Sequence, residues 1–133
     1  MNIPEKVRQT LEESTLVWIG TCSNGVPNVN VICYFKLLDG ERILLADNFF
    51  RKTKENIEKN PTAAVHVKSP GESVAYQLKG PVEVYTEGKI VHEMREWVQS
   101  QEEDMPAKAA VVMTVESVFD GSPGEDAGRE IVE

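Results

Sequence analysis

Apolar and β-branched residues gather in short segments separated by tight polar turns, a pattern typical of β-strands. The segments are "TLVWIGTC", "VPNVNVICYFKLL", "RILLAD", "AAVHVK", "SVAYQLKGPVEVYT" and "AAVVMTVESVF". The turns "SNG", "DGE" and "PGE" leave no room for the crossover helices that a parallel sheet needs in nearly every connection. Gly80-Pro81 inside the fifth segment predicts a bulge or bend. The pattern therefore predicts a mainly β chain of the α+β class, built as an antiparallel barrel.

Two other stretches repeat their apolar residues at helical spacing. They are "IPEKVRQTLEES", with Ile3, Val7 and Leu11 on one face, and "GKIVHEMREWVQSQ", with Ile90, Met94, Trp97 and Val98. A further short helix is expected to begin at "RKT", directly after the third strand segment. Short helices are therefore expected to flank the barrel.

The composition indicates one domain with an acidic surface. The chain has 133 residues, 41% of them hydrophobic, and this length suits a single compact core. We predict one domain over 1–119 and a flexible acidic tail over 120–133, because the Gly- and acid-rich tail has little to bury. A net charge of -8 argues against a nucleic-acid partner, which would need a basic face. No apolar run is long enough to span a membrane and the N-terminus has no signal pattern, so no membrane association and a cytoplasmic location are expected.

The sequence offers little support for a disulfide, a metal site or a catalytic nucleophile. If "SNG" closes a tight hairpin, Cys22 lies near Pro27 and Cys33 near Leu16, so the two sulfurs do not face each other. We expect two buried thiols, and we expect Trp18 to pack in the core. The two histidines lie in different elements and no Cys-x-x-Cys occurs, so no metal site is predicted. No nucleophile elbow, dinucleotide fingerprint or P-loop pattern is present either.

A basic cluster stands where the third strand gives way to the middle helix. Arg51, Lys52 and Lys54 surround Thr53 at this point. The start of a helix is already the positive end of its dipole, so cations there are ordinarily unfavourable. Free backbone N–H groups, a hydroxyl donor and these cations together suit a phosphate monoester. The cluster therefore predicts an anion site.

An alternative reading of the cluster needs no ligand. Arg51–Glu55 and Glu55–Lys59 are spaced for ion pairs along an exposed helix, each contributing about 0.2–0.5 kcal/mol. The cluster alone leaves both explanations open.

Polar positions in the strands add further candidates. Asn30 alternates with apolar residues in "NVNVICY", and an inward-facing Asn must find a partner. "ADN" ends the third strand with backbone groups that could bond the edge of a ring, and Gln77 and Lys79 share one side of their strand. Taken singly, each of these also fits an ordinary solvent-facing residue.

Taken in order, these segments resemble the FMN-binding split-barrel superfamily, which includes the pyridoxamine 5′-phosphate oxidase-like proteins. The resemblance rests on the hairpin, "LLDGERILLAD", "RKT" opening a helix, "NP" before a strand, "YQLKGPVEV" and "AKAAVVMTVESVF". It is closest to the small FMN-binding proteins of the group. It implies a six-stranded antiparallel split β-barrel that forms a homodimer with FMN in a groove at the interface. The chain lacks the C-terminal extension of the true pyridoxamine phosphate oxidases, so vitamin B6 oxidation is not implied.

The resemblance also implies which residues hold FMN. "RKT" matches the phosphate-binding segment, "NVN" the strand that reaches the phosphate and ribityl chain, and "ADNF" the backbone edge that bonds the ring. The implied cofactor-binding residues are Asn30, Val31, Ala46, Asp47, Asn48, Phe49, Arg51, Lys52, Thr53, Gln77 and Lys108. "MPAK" would come from the other subunit, bringing Met105, Pro106 or Lys108 near the ring, and it offers no aromatic side chain for stacking.

Three functions remain open at this point. The first is a flavin oxidoreductase in which FMN passes hydride or electrons between a donor, such as a nicotinamide, and an acceptor. The second is a non-catalytic FMN-binding or electron-transfer protein whose partner is another redox protein. The third is a split barrel that holds a different cofactor, a deazaflavin or haem. No catalytic side chain is implied, because the flavin supplies the redox chemistry.

Overall fold

The computed structural model describes residues 1–132 and contains nine strands and three helices. The strands are β1 Val17–Ser23, β2 Val26–Ile32, β3 Phe35–Leu37, β4 Arg42–Asp47, β5 Thr62–Lys68, β6 Ala75–Tyr85, β7 Ala109–Thr114, β8 Ser117–Asp120 and β9 Glu130–Ile131. The helices are α1 Glu5–Glu13, α2 Lys52–Lys59 and α3 Lys89–Gln101. All three lie where helices were expected.

The strands form one antiparallel sheet that curls into a half-barrel. Its order is β2-β1-β5-β6-β7-β4-β3, with β8 added beside β6 and β9 beside β8. Every pairing is antiparallel, as the tight turns predict. β2 and β3 therefore stand at the two ends of the path, each with one free edge.

The structure has nine strands where six were predicted. A bend at Cys33 and Tyr34 divides one predicted strand into β2 and β3, and a break at Val115 and Glu116 divides another into β7 and β8. At that second break the N–H of Val115 donates to the carbonyl of Glu41 and the N–H of Glu116 to that of Lys79. The ninth strand comes from the C-terminal tail. Each break occurs because the chain leaves one partner strand for another.

The predicted bend at Gly80-Pro81 is where β6 changes partners. Lys79 is the last residue of β6 in register with β8, and Val82 is the first in register with β7. The backbone of Thr114 approaches so closely that a Cβ on Gly80 would overlap its carbonyl oxygen. Glycine is therefore required here by space.

The core has two parts because β4 and β7 are buried on both faces. One face of these strands points into the barrel, where Ile43 and Met113 are fully buried, and α1 closes the end of that cluster. Helix α3 covers the other face with Val91, Met94 and Val98. This double burial explains why both strands read as continuous apolar runs.

The prediction that Trp18 packs in the core is wrong. Val17 and Ile19 point into the barrel and are fully buried, so the two-residue period of β1 turns Trp18 outward, where it is 37% exposed. Its side chain lies beside His66 of β5, with ring centroids 6.4 Å apart. The position of a residue in the two-residue repeat of β1 decides whether its side chain is buried, and this position places Trp18 on the outer face.

The prediction of buried thiols is also wrong, although the expected register is present. Cys22 lies opposite Pro27 and is half-buried, while Cys33 lies at the bend after β2 and is exposed. Both thiols are free. Cys22 belongs to the outward-facing set of β1, which explains its partial exposure.

The C-terminal segment folds back on β8. The N–H of Asp120 donates to the carbonyl of Arg129, the N–H of Gly128 donates to the carbonyl of Asp120, and β9 then pairs with β8. Residue 133 of the predicted tail lies outside the described residues, and flexibility of 120–133 stays a prediction. Among residues 1–132, no helix has the length and apolar character needed to cross a bilayer.

Candidate functional site

A buried polar network fixes the start of α2 against the hairpin of β1 and β2. Asn56, which is fully buried, donates to the Thr21 hydroxyl at 3.1 Å and accepts from the Ser23 hydroxyl at 2.8 Å. One turn earlier, the Asn28 side-chain amide donates to the Thr53 hydroxyl oxygen at 3.0 Å. A satisfied buried network of this kind holds one arrangement, so the first turn of α2 has a set position relative to β2.

The N-terminus of α2 has free donors and local positive charge. Arg51 precedes the helix and gives it no side-chain cap, so the first N–H groups lack partners within the helix. Thr53 is 1% exposed and accepts from Asn28, which leaves its hydroxyl proton free to donate. Lys52 and Lys54 are exposed beside it. The charge and donors at this point suit an anion.

The ion pairs proposed as an alternative are not the ones present. Among the described residues, Glu55 pairs with Lys52 at 3.6 Å rather than with Arg51 or Lys59. Arg51 has non-helical backbone angles, so its side chain does not follow the helical spacing that the alternative assumed. The Lys52–Glu55 pair is itself exposed on both sides and contributes little.

The end of β4 is tied to the segment before β7. Asp47 is buried, and its side chain accepts from the N–H of Phe50 at 2.9 Å. Its backbone carbonyl accepts from the N–H of Lys108 at 2.8 Å, and the Asn48 side chain accepts from the N–H of Ala107 at 2.8 Å. Since both side chains are engaged, a ligand at this edge would meet the backbone of 46–49.

A cavity of about 190 Å³, called the ring cavity below, opens between β2 and the end of β4. Its lining residues are Asn30, Val31, Ile32, Cys33, Tyr34, Ala46, Asn48, Phe49, Phe50 and Met105. Five of the predicted cofactor-binding residues are among them: Asn30, Val31, Ala46, Asn48 and Phe49. The structure therefore brings together two segments that are separated in the sequence.

One face of β2 connects the ring cavity with the start of α2. Asn28 and Asn30 are two residues apart in the strand, so they share a face and stand about 7 Å apart along it. Asn28 contacts Thr53 and Asn30 lines the cavity. A phosphate at the helix and a flat ring in the cavity would therefore lie on one continuous path.

Asp47 lies at the end of β4 next to the ring cavity, and Arg51, Lys52 and Thr53 lie at the start of α2, but the side chains of Gln77 and Lys108 reach neither place within one chain. Gln77 lies on β6 in register with His66 and Phe119, on the same outward side of the sheet as Trp18. Lys108 is exposed next to Asp47, but its side chain is not part of the lining. Their contact with a cofactor stays a prediction.

The segment 105–108 already lies beside the ring cavity of its own chain. Met105 lines the cavity, and Ala107 and Lys108 are bonded to Asn48 and Asp47. The sequence had suggested that this segment comes from the other subunit. That contribution across a dimer stays a prediction beside the contact seen within the chain.

Sequence reasoning missed Asn28, Asn56 and Tyr34. Asn28 stands in the same "NVN" as Asn30, and the two-residue period of the strand could have placed it on the same face. Asn56 lies three residues after Thr53, on the same side of α2, and so could have been paired with it. No local signal marks Tyr34, whose position depends on the bend between β2 and β3.

A family model and one protein relative each match most of the chain. The family model described as pyridoxamine 5′-phosphate oxidase matches residues 3–120. An uncharacterized protein of Methanocaldococcus jannaschii is 35% identical over 134 aligned residues, covering 98% of this chain and 89% of the relative.

Solved structures agree with that result at the level of the fold. HupZ of Group A Streptococcus is similar with a TM-score of 0.80 and 24% identity, covering 95% of this chain and 99% of that one. An FMN-binding protein from Syntrophomonas wolfei has a TM-score of 0.68 and 16% identity, with 89% and 90% covered. An F420 reductase has a TM-score of 0.70 and 21% identity, with 87% and 98% covered. At these identities the likeness shows a shared fold.

Proposed function

The chain belongs to the pyridoxamine 5′-phosphate oxidase family, and from this membership we propose that it is an FMN-binding oxidoreductase that works as a homodimer. The observation that carries the proposal is the path along β2, from the basic start of α2 to the ring cavity. FMN has a phosphate at one end and a flat ring at the other. The path presents a matching group to each end.

The start of α2 fits the phosphate. Unpaired backbone N–H groups, the free hydroxyl proton of Thr53 and the charges of Arg51 and Lys52 would all act on one dianion. Without an anion, the cations and the positive end of the helix dipole repel each other. A bound phosphate would attract both. Asn30, which lines the ring cavity two residues after Asn28, would meet the ribityl chain.

The ring cavity fits the edge and one face of the isoalloxazine ring. Because Asp47 and Asn48 use their side chains within the protein, the backbone of 46–49 would bond the ring edge. Phe49 lines the cavity and is 71% exposed, so it offers the flat apolar surface that 105–108 lacks. A cation near the pyrimidine edge would favour the reduced anion, and Lys108 is the candidate, because the ammonium of Lys79 lies 4.6 Å from the Phe119 ring centroid on the side of β6 that carries Gln77.

Two features support a homodimer that completes this site. The ring cavity of one chain, about 190 Å³, is smaller than the roughly 300–1,000 Å³ of most ligand sites. Next to it, the outer face of β1 and β2 exposes Trp18, Val29 and Val31, which are opposed or adjacent in register. A second copy seated on this face would cover the apolar side chains and add walls to the cavity.

The residues of the chain bind and orient the cofactor and take no covalent part. Bound FMN would supply the hydride or electron transfer. The protein would hold the phosphate at α2, fix the ring edge at β4 and limit the access of water to the ring through Phe49 and the partner. The electrons would come from a nicotinamide or from a redox partner protein.

A deazaflavin is the second candidate cofactor. The F420 reductase among the similar structures favours it, because the same fold there belongs to a protein named for that cofactor. A deazaflavin also pairs a flat ring with phosphate, so the same two ends of the path would be used.

The absorbance spectrum of the purified protein, followed by mass spectrometry of whatever heat releases, tests the proposal. We expect a flavin spectrum and the mass of FMN, and stoichiometric uptake when the ligand-free protein is titrated with FMN. Anaerobic bleaching by NADH or NADPH at a catalytic rate would favour an oxidoreductase over an electron carrier. Release of a deazaflavin, or failure to take up FMN, would contradict the assignment of FMN.

A further inference from the structure

A second cavity, which the proposed function does not use, lies next to the ring cavity. This second cavity has a volume of about 560 Å³ and is enclosed by the end of α1, the segment 33–37 and the end of α3. Its lining residues are Leu11, Glu12, Ser14, Thr15, Cys33, Tyr34, Phe35, Lys36, Leu37, Trp97 and Gln101. Cys33 and Tyr34 line both cavities, so only this bend in the backbone separates them.

One wall of the second cavity is aromatic. Tyr34 meets Trp97 edge to face, with ring centroids 6.3 Å apart and an interplanar angle of 86°. Phe35 lines the cavity from β3 and is half-buried. In an edge-to-face pair one ring presents its edge and not its face, so this ring keeps a face for a further ring to pack against. The wall therefore favours a flat aromatic ligand.

The same wall carries a positioned cation. The ammonium of Lys36 lies 4.6 Å from the centroid of the Trp97 ring. Among the described residues it has no carboxylate within salt-bridge distance. A cation held at an aromatic face and left without a counter-ion is available to an anionic group of a ligand.

The free edge of β3 adds backbone donors and acceptors. The N–H of Leu38 donates to Arg42 and that of Ala46 donates to the carbonyl of Tyr34, so alternate residues of this segment bond to β4. In an antiparallel pair, every second residue bonds to the partner strand. Phe35 and Leu37 alternate with the residues that bond β4, so their backbone N–H and C=O groups point to the free edge of β3. Both residues line the second cavity. A polar ligand can therefore be held there without further side chains.

The charge of the lining limits the ligand to a small negative charge. Lys36 and Glu12 are its charged side chains, and they lie on different walls, one on β3 and one on α1. Their charges cancel, unlike at the start of α2, where Arg51, Lys52 and Lys54 gather. A single carboxylate can pair with Lys36, and the lining offers no second cation to compensate a further negative charge.

We propose that the second cavity binds a flat aromatic carboxylate, with its ring against Tyr34 and Trp97 and its carboxylate at Lys36. Because only the bend at Cys33 and Tyr34 separates it from the ring cavity, a ligand there would be a candidate second substrate of the flavin. That role rests on the proposed function, whereas binding of the carboxylate does not.

Isothermal titration calorimetry tests the proposal with three ligands that share one ring system: 2-naphthol, 2-naphthoate and 2-naphthyl phosphate. The protein is used as purified and again after saturation with FMN. We expect 2-naphthoate to bind once per chain in both forms and at least about tenfold more tightly than either other ligand. Lys36→Ala should remove that preference for the carboxylate, and Trp97→Leu should weaken all three ligands.

Lys89→Ala is the matched control, because it removes an exposed lysine from α3, far from the lining. Trp97→Phe keeps an aromatic wall and replaces Trp97→Leu if that variant does not fold. Equal affinity of Lys36→Ala and Lys89→Ala for 2-naphthoate, tighter binding of the phosphate, or displacement of 2-naphthoate by FMN would overturn the proposal. FMN uptake is measured in the same preparations, so failure of the proposed function appears separately.

Discussion

The side-chain amide of Asn28 donates a hydrogen bond of 3.0 Å to the hydroxyl oxygen of Thr53, and this contact joins β2 to the first turn of α2. Because the hydroxyl oxygen of Thr53 accepts this bond, its proton remains available to donate to a ligand. The basic helix start therefore has a hydroxyl donor at a set position as well as charge. Because this donor is already held in place, it would bind a phosphate with little loss of side-chain freedom.

The first prediction concerns this donor and its neighbour. Lys52→Ala combined with Thr53→Ala should weaken FMN binding by about tenfold or more, because the ammonium and the hydroxyl donor to the phosphate are both lost. Fluorescence titration of FMN measures the change. Thr53→Ser as a single change keeps the hydroxyl and should bind FMN as tightly as the wild-type protein does. Unaltered affinity in the double variant would remove α2 from the site.

Asn56 provides a separate test of what fixes the helix. Its amide bonds Thr21 and Ser23 in a fully buried position, so Asn56→Ala would leave both hydroxyls without this partner. We expect a loss of about 2–3 kcal/mol in the free energy of unfolding, measured by urea denaturation. Glu58→Ala, an exposed change on the same helix, should alter the stability by less than about 0.5 kcal/mol. A similarly small effect for Asn56→Ala would mean that the network does not hold the helix.

The sequence was informative where one periodicity decides the structure. Alternation in β1 and β2 and the "SNG" turn fix a register that places Cys22 opposite Pro27, as predicted. The same alternation turns Trp18 outward, so the period of β1 already argued against a place for Trp18 in the core. The division of one predicted strand at Cys33 and Tyr34 depends on where β4 lies, and no local pattern records that.

The site was predictable in its segments but not in its contacts. "NVN", "ADNF" and "RKT" contain most of the residues that surround the path along β2. The links between them could not be read from the sequence, because they join residues far apart in it. Asn28 to Thr53 and Asn48 to Ala107 are examples, separated by 25 and 59 positions. The second cavity depends on three such elements and therefore went unnoticed.

The third prediction concerns Gly80. Gly80→Ala should destabilise the fold by about 3 kcal/mol or more, because the new methyl group would overlap the carbonyl oxygen of Thr114 and force β6 and β7 apart. Thermal unfolding followed by circular dichroism measures this. Gly20→Ala is the control, since a Cβ there meets its nearest neighbour, the carbonyl of Ala64, at an ordinary 3.8 Å. Comparable melting temperatures for the two variants would contradict the close approach.

The turn between β3 and β4 should make stability depend on acid pH. The N–H of Glu41 and then the guanidinium of Arg42 lower the pKa of Asp39 below its usual 3.8. A lowered pKa in the folded state means that the stabilisation is present above the unfolded value and is lost as the pH falls through the folded value. Asp39→Ala should therefore lower the melting temperature at pH 7, and the difference should shrink as the pH falls below the usual pKa of an aspartate.

Asp39→Asn separates the two causes, because it keeps an acceptor for the backbone N–H groups and loses the charge. We expect a smaller effect than that of Asp39→Ala, with little dependence on pH. The effect of either change is small, since the Asp39 side chain is 44% exposed. A difference between wild type and Asp39→Ala that stays constant from pH 7 to pH 2 would show that the carboxylate does not act through its charge.

The last prediction tests the homodimer through Val29. This side chain is 69% exposed on β2 and lies opposite Gly20 on the outer face of the sheet, next to Trp18 and Val31 in register. Val29→Asp would place a charge in the centre of the proposed interface while leaving the core of the monomer untouched. Burying that carboxylate without a partner is unfavourable, so the dimer should dissociate.

Light scattering coupled to size exclusion measures the mass of Val29→Asp, and FMN titration of the same sample measures its affinity. If the partner supplies walls of the ring cavity, the molar mass and the affinity for FMN should fall together. The monomer should still unfold cooperatively on heating, because its core is unchanged. Val132→Asp is the control, because Val132 is 80% exposed near the C-terminus, away from this face. A variant that becomes monomeric yet binds FMN as tightly as before would place the whole cofactor site within one chain.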